Sequence, residues 1–341
     1  MNLAELNRVA EAMVAPGRGI LAADESSATI KKRFDAIGAE STDNTRRDYR
    51  ELLFRSAEAM SKYISGVILY DETIRQNAKD GTALVKVIEK SGALPGIKVD
   101  KGVKPLPFCP NEVITEGLDG LRERLVEYRG RGAKFAKWRA VIDIGAGIPS
   151  PTGINTNAHA LARYAALCQE EGIVPIVEPE VLMDGDHDIE RCYAVTEWTL
   201  KRVFEELYDQ RVALEGMVLK PNMVVPGKKS AKQASVDEVA EKTLRVLKEC
   251  VPAAVPGIAF LSGGQSDLDA TARLNAMNRL GGAPWKITFS YSRALQAAPQ
   301  KAWSGKAENV AAAQAAFTHR AAMNGLASMG KWTPELEKKA A

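Results

Sequence analysis

Charged and polar residues follow several otherwise apolar runs of this 341-residue sequence. Short apolar runs are typical of buried strands, and burial disfavours charge, so each such residue needs a partner or a function. At the carboxyl ends of parallel strands, polar side chains commonly form a site. The candidates are Asp24, Asp71, Asp100, Lys101, Lys137, Arg139, Glu178, Glu180, Lys220, Ser262, Ser290 and Arg293.

Lys220 follows the apolar run GMVL and is the candidate for covalent catalysis. Burial favours the uncharged form of an amine, which can attack a ketone and give an iminium that lets the adjacent carbon–carbon bond break or form. A cation such as Lys137 would favour the neutral amine further, and a carboxylate such as Glu178 could carry protons. A lone lysine in such a position is more often salt-bridged or solvated, so the prediction depends on its charged neighbours.

Two pairs of these candidates are spaced two residues apart. Glu178 and Glu180 therefore share one face of a strand, as do Lys137 and Arg139. We expect both pairs to point to the same mouth.

Anion binding has its own candidates. A Ser-Gly-Gly turn lies in FLSGGQS (260–266), and Arg293 follows the last apolar run, in FSYSRAL (289–295). Loops after the seventh and eighth strands of α/β barrels often bind phosphate, because backbone N–H groups and a guanidinium suit the anion. Alone, Ser-Gly-Gly is more often just a turn, so its position carries the prediction.

Eight apolar runs must position these side chains, and their length and β-branched content predict strands. The runs are GILAAD (19–24), GVILYD (66–71), GIKVDKG (96–102), FAKWRAVIDI (135–144), IVPIVEPEV (173–181), GMVLKPN (216–222), GIAFLSGG (257–264) and WKITFSYS (285–292).

Segments of helical period separate the runs. One begins with a Ser-x-x-Glu capping box at Ser235, and another, AHALARYAALCQEE, ends before Gly172. Eight alternating units without a linker predict a (β/α)₈ TIM barrel, with a single α/β domain over 1–341, an N-terminal helix and a short helical tail over about 306–330. A doubly wound sheet is the alternative, but no G-x-G-x-x-G motif follows the first run.

Composition argues for a cytoplasmic protein. Forty-six basic and 43 acidic residues leave a net charge of only +3, which disfavours nucleic-acid and membrane partners. The amphipathic N-terminus predicts a helix and no signal peptide, and no run approaches the length of a membrane span. Four cysteines without a C-x-x-C pair fit a reducing compartment.

No metal site is expected. The segment DGDHD (184–188) lacks the spacing of a calcium loop and predicts a helix cap. His159, His187 and His319 are too scattered for a zinc triad. The segment GKKSAK (227–232) predicts a mobile, solvated basic loop.

Seven segments, in order along nearly the whole chain, resemble the motif series of class I fructose-bisphosphate aldolases of the animal and plant type. They are ILAADES, VDKG, FAKWR, IVPIVEPE, LEGMVLKPNMV, FLSGGQS and SYSRALQ. The resemblance implies a (β/α)₈ barrel that reversibly cleaves fructose 1,6-bisphosphate to dihydroxyacetone phosphate and glyceraldehyde 3-phosphate. It also implies a lysine Schiff base, no cofactor and a homo-oligomer that is usually a tetramer.

The resemblance also implies roles for individual residues. Lys220 would form the Schiff base with dihydroxyacetone phosphate, and Glu178 would be the acid/base for its formation. Lys137 and Glu180 would stabilise the intermediates. Asp24 would act on the C4 hydroxyl, with Lys101 close by. The remaining implied residues bind phosphate: for C1, Ser262, Gly263, Ser292 and Arg293, and for C6, Ser26, Lys32, Arg33 and Arg139.

The sequence departs from the family pattern in two places. Ser292 stands where animal enzymes have glycine, and its side chain should narrow the pocket with a small effect. The family's longer C-terminal tail ends in a tyrosine that assists proton exchange, whereas no tyrosine follows Tyr291 here. We therefore expect another group or water to transfer that proton.

Two other functions remain open. A transaldolase or keto-acid lyase would also use a Schiff base, but phosphate candidates at both ends of the site disfavour it. A phosphosugar-binding or scaffold protein without catalysis is disfavoured by the full set of charged residues.

Overall fold

Eight parallel strands form a closed barrel in this computed structural model, which describes residues 2–338. Around the barrel the order is β1-β10-β9-β8-β7-β6-β3-β2. The strands are β1 Gly19–Ala23, β2 Ile64–Leu69, β3 Leu94–Lys98, β4 Val103–Pro105, β5 Val113–Thr115, β6 Phe135–Ile142, β7 Val174–Val181, β8 Val218–Leu219, β9 Gly257–Phe260 and β10 Lys286–Tyr291.

The first and last barrel strands pair directly, which closes the sheet. Ile20 of β1 is in register with Ser290 of β10, and Ala23 of β1 with Leu69 of β2. Each predicted run overlaps one barrel strand, and β2 and β3 begin two residues before their runs, so the barrel is confirmed and the open doubly wound sheet is wrong. The antiparallel hairpin β4–β5, between β3 and β6, was not predicted.

Helices follow the barrel strands and cover their outer faces. They are α1 Leu3–Met13, α2 Ser27–Asp35, α3 Asp43–Phe54, α4 Ala57–Lys62, α5 Asp71–Ile74, α6 Leu84–Lys90, α7 Leu121–Gly130, α8 Pro151–Glu170, α9 Ile189–Asp209, α10 Val236–Cys250, α11 Asp267–Leu280, α12 Arg293–Trp303, α13 Val310–Ala327 and α14 Pro334–Glu337. Short 3₁₀ turns lie at Leu214–Gly216 and Ala307–Asn309.

The helix predictions from capping residues are confirmed. Ser235 Oγ accepts a hydrogen bond from Glu238 N at 3.1 Å, at the start of α10. Helix α8 begins at Pro151, earlier than its predicted start, and Gly172 beyond its end has φ +70°. The N-terminal helix and the helical tail are α1 and α13. The predicted domain bounds include Met1 and 339–341, which lie outside the described residues.

The four cysteines are free thiols in the structure. Among residues 2–338, no helix combines the length and the hydropathy that crossing a bilayer requires.

One end of the barrel interior is packed with apolar side chains. Phe135 is fully buried there, and Leu6 and Met13 of α1 belong to the same apolar cluster. The neighbouring strands make room for the ring with glycine, because a Cβ at Gly66 or Gly96 would lie 2.9 or 2.2 Å from it. This apolar layer forms the floor of the barrel interior, and the polar residues lie above it.

The side chains that point into the barrel are apolar at first and become charged toward the carboxyl ends of the strands. On β6 the face that begins with Phe135 continues with Lys137, and on β7 the face that begins with Ile176 continues with Glu178. The charged residues therefore lie one side-chain layer above the apolar floor, at the functional face of the barrel.

Candidate active site

Strand register brings Glu178 and Lys220 to the same level of the barrel. Ile176 of β7 pairs with Val218 of β8, so the side chains two positions further along each strand are also neighbours. The backbone N–H of Lys220 donates to Val177 O at 2.8 Å and fixes the lysine directly after the strand.

Four buried charged side chains form a connected ion cluster. Lys220 Nζ lies 3.1 Å from Glu178 Oε1, and Lys137 Nζ lies 3.2 Å from Glu178 Oε2. The second partner of Lys137 is Asp24, whose Oδ2 lies 2.8 Å away. None of the four residues is more than 8% exposed. Each charge is therefore kept in the barrel by its neighbours and not by water.

The two carboxylates stay ionised despite burial. Desolvation opposes the charge on Glu178, but the attraction of Lys137 and Lys220 outweighs it and lowers the pKa of Glu178 below its ordinary value. For Asp24 the balance is the same, with Lys98 as a further cation, and its pKa lies far below the ordinary value. Both groups can therefore accept protons at neutral pH.

Lys137 is held in its cationic form. Burial alone would lower its pKa, but Asp24 and Glu178 raise the pKa well above the ordinary value of 10.5. Lys137 is therefore suited to stabilise negative charge and does not serve as a neutral nucleophile.

Arg139 and Glu180 form an ion pair at the mouth, one layer above Lys137 and Glu178. The Arg139 side chain is 40% exposed, whereas that of Glu180 is 9% exposed. Both pairs predicted from the two-residue spacing thus point to the same mouth.

A cavity of about 530 Å³ opens above the ion cluster. It is lined by every residue to which the family resemblance assigns a role, except Lys101: Asp24, Ser26, Lys32, Arg33, Lys137, Arg139, Glu178, Glu180, Lys220, Ser262, Gly263, Ser292 and Arg293. The barrel thus brings together candidates that are up to about 270 residues apart in the chain.

Lys101 does not line this cavity, and its place close to Asp24 stays a prediction. Its side chain is exposed, and its backbone N–H donates to Glu116 O at 2.8 Å, at the base of the hairpin. Lys98 occupies the interior position, in register with Lys137 and with Nζ 3.2 Å from Asp100 Oδ1. The signal for Lys98 was the glycine two residues earlier, which faces Phe135 and so marks the interior face of β3.

Two other strand-end candidates also lie outside the lining of the cavity. Asp71 begins α5 and accepts hydrogen bonds from Arg75 and from Tyr128 Oη at 2.8 Å. Asp100 pairs with Lys98, which does line the cavity, and also accepts a hydrogen bond from Arg139 N at 3.4 Å.

The first end of the cavity is formed by the loops after β9 and β10. Gly263 and Gly264 both have positive φ, +57° and +86°, which lets the backbone turn sharply after Ser262. Arg293 begins α12 and forms no ion pair within residues 2–338. A serine hydroxyl, a glycine turn and an unneutralised guanidinium at a helix start are suited to an anion.

The other end of the cavity is formed by α2. Ser26 caps this helix, and its Oγ accepts a hydrogen bond from Thr29 N at 3.3 Å. Lys32 and Arg33, on the same helix, also line the cavity. A second group of cations therefore lines the same cavity.

Sequence reasoning missed the link between the two ends, which is built around Glu25. Its Oε1 accepts hydrogen bonds from Arg33 Nη1 at 2.5 Å, Ser292 Oγ at 2.8 Å and Gln296 Nε2 at 2.7 Å. Arg33 also donates to Ser292 Oγ at 3.1 Å. The Ser292 hydroxyl is thus tied into this network, and Glu25, which is itself buried, has no sequence signal beyond following Asp24.

The metal-like segment 184–188 caps a helix, as predicted. Asp188 Oδ1 accepts a hydrogen bond from Arg191 N at 2.8 Å at the start of α9. Within residues 2–338, no group of three or more His, Cys, Asp or Glu side chains is arranged to hold a metal ion.

Comparison with known proteins identifies the family. A family model described as "Fructose-bisphosphate aldolase class-I" matches residues 5–341. The chain belongs to this family. The resemblance seen in the sequence motifs is therefore confirmed, and a transaldolase or keto-acid lyase is no longer supported. As a member of the class-I fructose-bisphosphate aldolases, the chain is an aldehyde lyase.

Relatives of this aldolase are similar over almost the whole chain. A "Probable fructose-bisphosphate aldolase class 1" from Xanthomonas campestris pv. campestris is 59% identical over 333 residues, which are 97% of this chain and 99% of the relative. Fructose-bisphosphate aldolase 2 from Caenorhabditis elegans is 53% identical and covers 97% of this chain and 90% of its own.

A solved structure agrees with the barrel. A co-crystal structure of fructose-bisphosphate aldolase from Plasmodium falciparum, in complex with TRAP and a small molecule inhibitor, matches with a TM-score of 0.94 at 47% identity. The match covers 97% of this chain and 96% of that chain.

Proposed function

We propose that the chain reversibly cleaves fructose 1,6-bisphosphate to dihydroxyacetone phosphate and glyceraldehyde 3-phosphate, with Lys220 as the residue that forms the Schiff base. The observation that carries the proposal is the position of Lys220 Nζ, buried and 3.1 Å from a carboxylate that also contacts a second lysine. A buried amine beside a proton acceptor is the arrangement that iminium formation needs.

Schiff-base formation uses Glu178 as the proton carrier. Glu178 takes a proton from Lys220, and the free amine attacks C2 of the ketose while the carbonyl electron pair moves to oxygen. Glu178 returns this proton to the oxygen, which gives a carbinolamine. It then takes a second proton from the nitrogen and passes it to the hydroxyl, which leaves as water as the iminium forms. Lys137 stays cationic throughout and stabilises the developing negative charge.

Carbon–carbon cleavage uses Asp24. Its carboxylate accepts the proton of the C4 hydroxyl as the C3–C4 bond breaks, and the bonding electrons move into the iminium to give an enamine. Glyceraldehyde 3-phosphate leaves, a proton is added to the enamine carbon, and hydrolysis of the iminium releases dihydroxyacetone phosphate.

The two phosphates are assigned to the two cationic ends of the cavity. Ser262, Gly263, Ser292 and Arg293 would hold the C1 phosphate, and Ser26, Lys32, Arg33 and Arg139 would lie toward the C6 phosphate. The support is that all of them line the same cavity as the buried ion cluster.

Reduction with borohydride in the presence of dihydroxyacetone phosphate tests the nucleophile. We expect the mass of the reduced ligand on the peptide that contains Lys220, and no adduct in Lys220→Ala. An adduct that survives this substitution would assign the nucleophile to another lysine. Activity that withstands EDTA would support the proposal that no metal takes part.

We also propose that the chain is a single-domain cytoplasmic enzyme that assembles as a homotetramer without nucleic-acid or membrane partners. Four free thiols fit a reducing compartment. Phe108, fully exposed on the β4–β5 hairpin beside exposed Val103, is an apolar surface that a second subunit would cover. Light scattering on wild type and Phe108→Ser tests this, with a smaller particle expected for the variant.

A further inference from the structure

The loop that follows the Lys220 strand is fixed to the loop after β7. Gly227 N donates to His187 O at 2.8 Å, Lys228 N to Met183 O at 2.7 Å, and Lys229 N to Gly185 O at 3.0 Å. The sequence predicted a solvated basic loop here, but its first three residues are hydrogen-bonded in place. The backbone of Lys228 is therefore held in place, and its side chain extends from a fixed position.

Lys228 reaches across to the glycine turn after β9. A Cβ at Gly264 would lie 2.7 Å from Lys228 Nζ and 3.0 Å from Arg293 Nη2. Two cationic groups therefore converge on the same side of the turn. Lys228 is the more remote in sequence from the turn, and nothing in its own motif pointed to this position.

The charges at this end are not balanced by the protein. Lys228 Nζ lies 2.7 Å from Asp184 Oδ1, with side chains 41% and 62% exposed, whereas Arg293 has no carboxylate partner among residues 2–338. Lys228 thus has one exposed carboxylate partner, and Arg293 has none among the same residues. An anion bound at the turn would neutralise the excess charge.

We propose that Lys228 is a further phosphate-binding residue. When a ketose binds, the ammonium group of Lys228 moves away from Asp184 and contacts the C1 phosphate. This contact favours phosphorylated over unphosphorylated substrates. This inference rests on the proposed C1-phosphate site at Ser262, Gly263 and Arg293. An exposed ion pair contributes little to stability, so exchanging Asp184 for phosphate costs little. The long, flexible lysine stem allows the movement.

The competing role for Lys228 is purely structural, as a salt bridge that joins two loops. In that role Lys228→Gln and Asp184→Asn would lower thermal stability alike and would leave phosphate binding unchanged. The proposed role predicts opposite effects of the two substitutions on ligand affinity.

The test measures the dissociation constant of dihydroxyacetone phosphate from the concentration dependence of borohydride trapping. We expect Lys228→Gln to weaken binding about fivefold, the size of one exposed charge-assisted contact. Trapping of unphosphorylated dihydroxyacetone should not change. Lys229→Gln, which removes the neighbouring charge from the same loop, is the matched control and should bind as wild type.

Asp184→Asn should tighten binding about twofold, because Lys228 is then free for the phosphate, and it should have no effect in the Lys228→Gln background. An equal effect of Asp184→Asn in both backgrounds, or wild-type affinity in Lys228→Gln, would overturn the inference.

Arg293→Ala distinguishes failure of this inference from failure of the proposed C1-phosphate site. If it weakens binding while Lys228→Gln does not, only the inference fails, and if it has no effect, the proposed C1-phosphate site is wrong.

Discussion

Lys137 Nζ lies 2.8 Å from Asp24 Oδ2, and both side chains are buried at the mouth of the barrel. This pair joins the residue after β1 to β6, three strands away around the barrel, and its lysine also contacts Glu178. Removal of the cation would take away the ion-pair partner of Asp24 and one of the two lysine partners of Glu178.

Lys137→Met should therefore lower kcat by about 10²- to 10³-fold, because a preorganised charge at the reaction centre is lost. The side chain keeps its length and apolar stem, so the loss reports on charge. Steady-state kinetics measure the effect, and circular dichroism checks that the barrel persists. A rate within threefold of wild type would contradict the role of Lys137.

Acid should destabilise the protein through Asp24 and Glu178. Their folded-state pKa values are lower than the ordinary 3.8 and 4.5, so the unfolded chain takes up protons first as the pH falls. The stabilisation is complete above about pH 5.5 and is lost progressively below pH 4.5, toward the depressed folded pKa values. Urea unfolding at several pH values between 7 and 3 measures this.

The variant Asp24→Asn should show a shallower loss of unfolding free energy over that range, because one of the two carboxylates no longer titrates. Glu40→Gln, which changes an exposed carboxylate, is the control and should follow wild type. A pH dependence of Asp24→Asn identical to that of wild type would show that Asp24 is not ionised by its lysine neighbours.

Lys98 and Lys101 offer a direct comparison between the position that faces the cavity and the one that does not. Lys98→Gln should lower kcat/KM by about tenfold or more, because a cation near Asp24 is removed. Lys101→Gln should retain the activity of wild type, since its side chain is exposed. Steady-state assays of both variants measure these effects. A larger loss of activity in Lys101→Gln than in Lys98→Gln would support the role that the sequence predicted for Lys101.

Sequence patterns predicted the barrel and most of the cavity lining because both depend on periodicity. Strand-end positions such as Lys220 and pairs two residues apart such as Glu178 and Glu180 follow from the pleat alone. The choice between Lys98 and Lys101 does not, because one ends β3 and the other follows it, and the interior face of β3 is marked only by Gly96. That signal becomes readable when the opposing Phe135 is known.

Hydrogen bonds between distant loops were beyond the sequence for a different reason. Glu25 accepts from Arg33 and Ser292, which are brought together only when β1 and β10 close the barrel. The loop at Lys228 is fixed by backbone groups, which every residue carries and no motif distinguishes. Position along the chain therefore predicts which residues face the mouth, but not which of them touch.

The barrel floor depends on the fit between Gly96 and Phe135. A Cβ at Gly96 would lie 2.2 Å from the buried ring, so Gly96→Ala should destabilise the fold by about 1–3 kcal/mol, the usual cost of overpacking. Chemical denaturation measures the change. Gly130→Ala is the control, because nothing lies within 4 Å of a Cβ there and the residue ends α7, so stability should be kept or slightly raised.

Replacing the ring with Leu in Gly96→Ala/Phe135→Leu should recover part of the loss, since the smaller side chain makes room for the methyl group. A double variant less stable than the sum of the two single substitutions predicts would show that the glycine serves the backbone and not the ring.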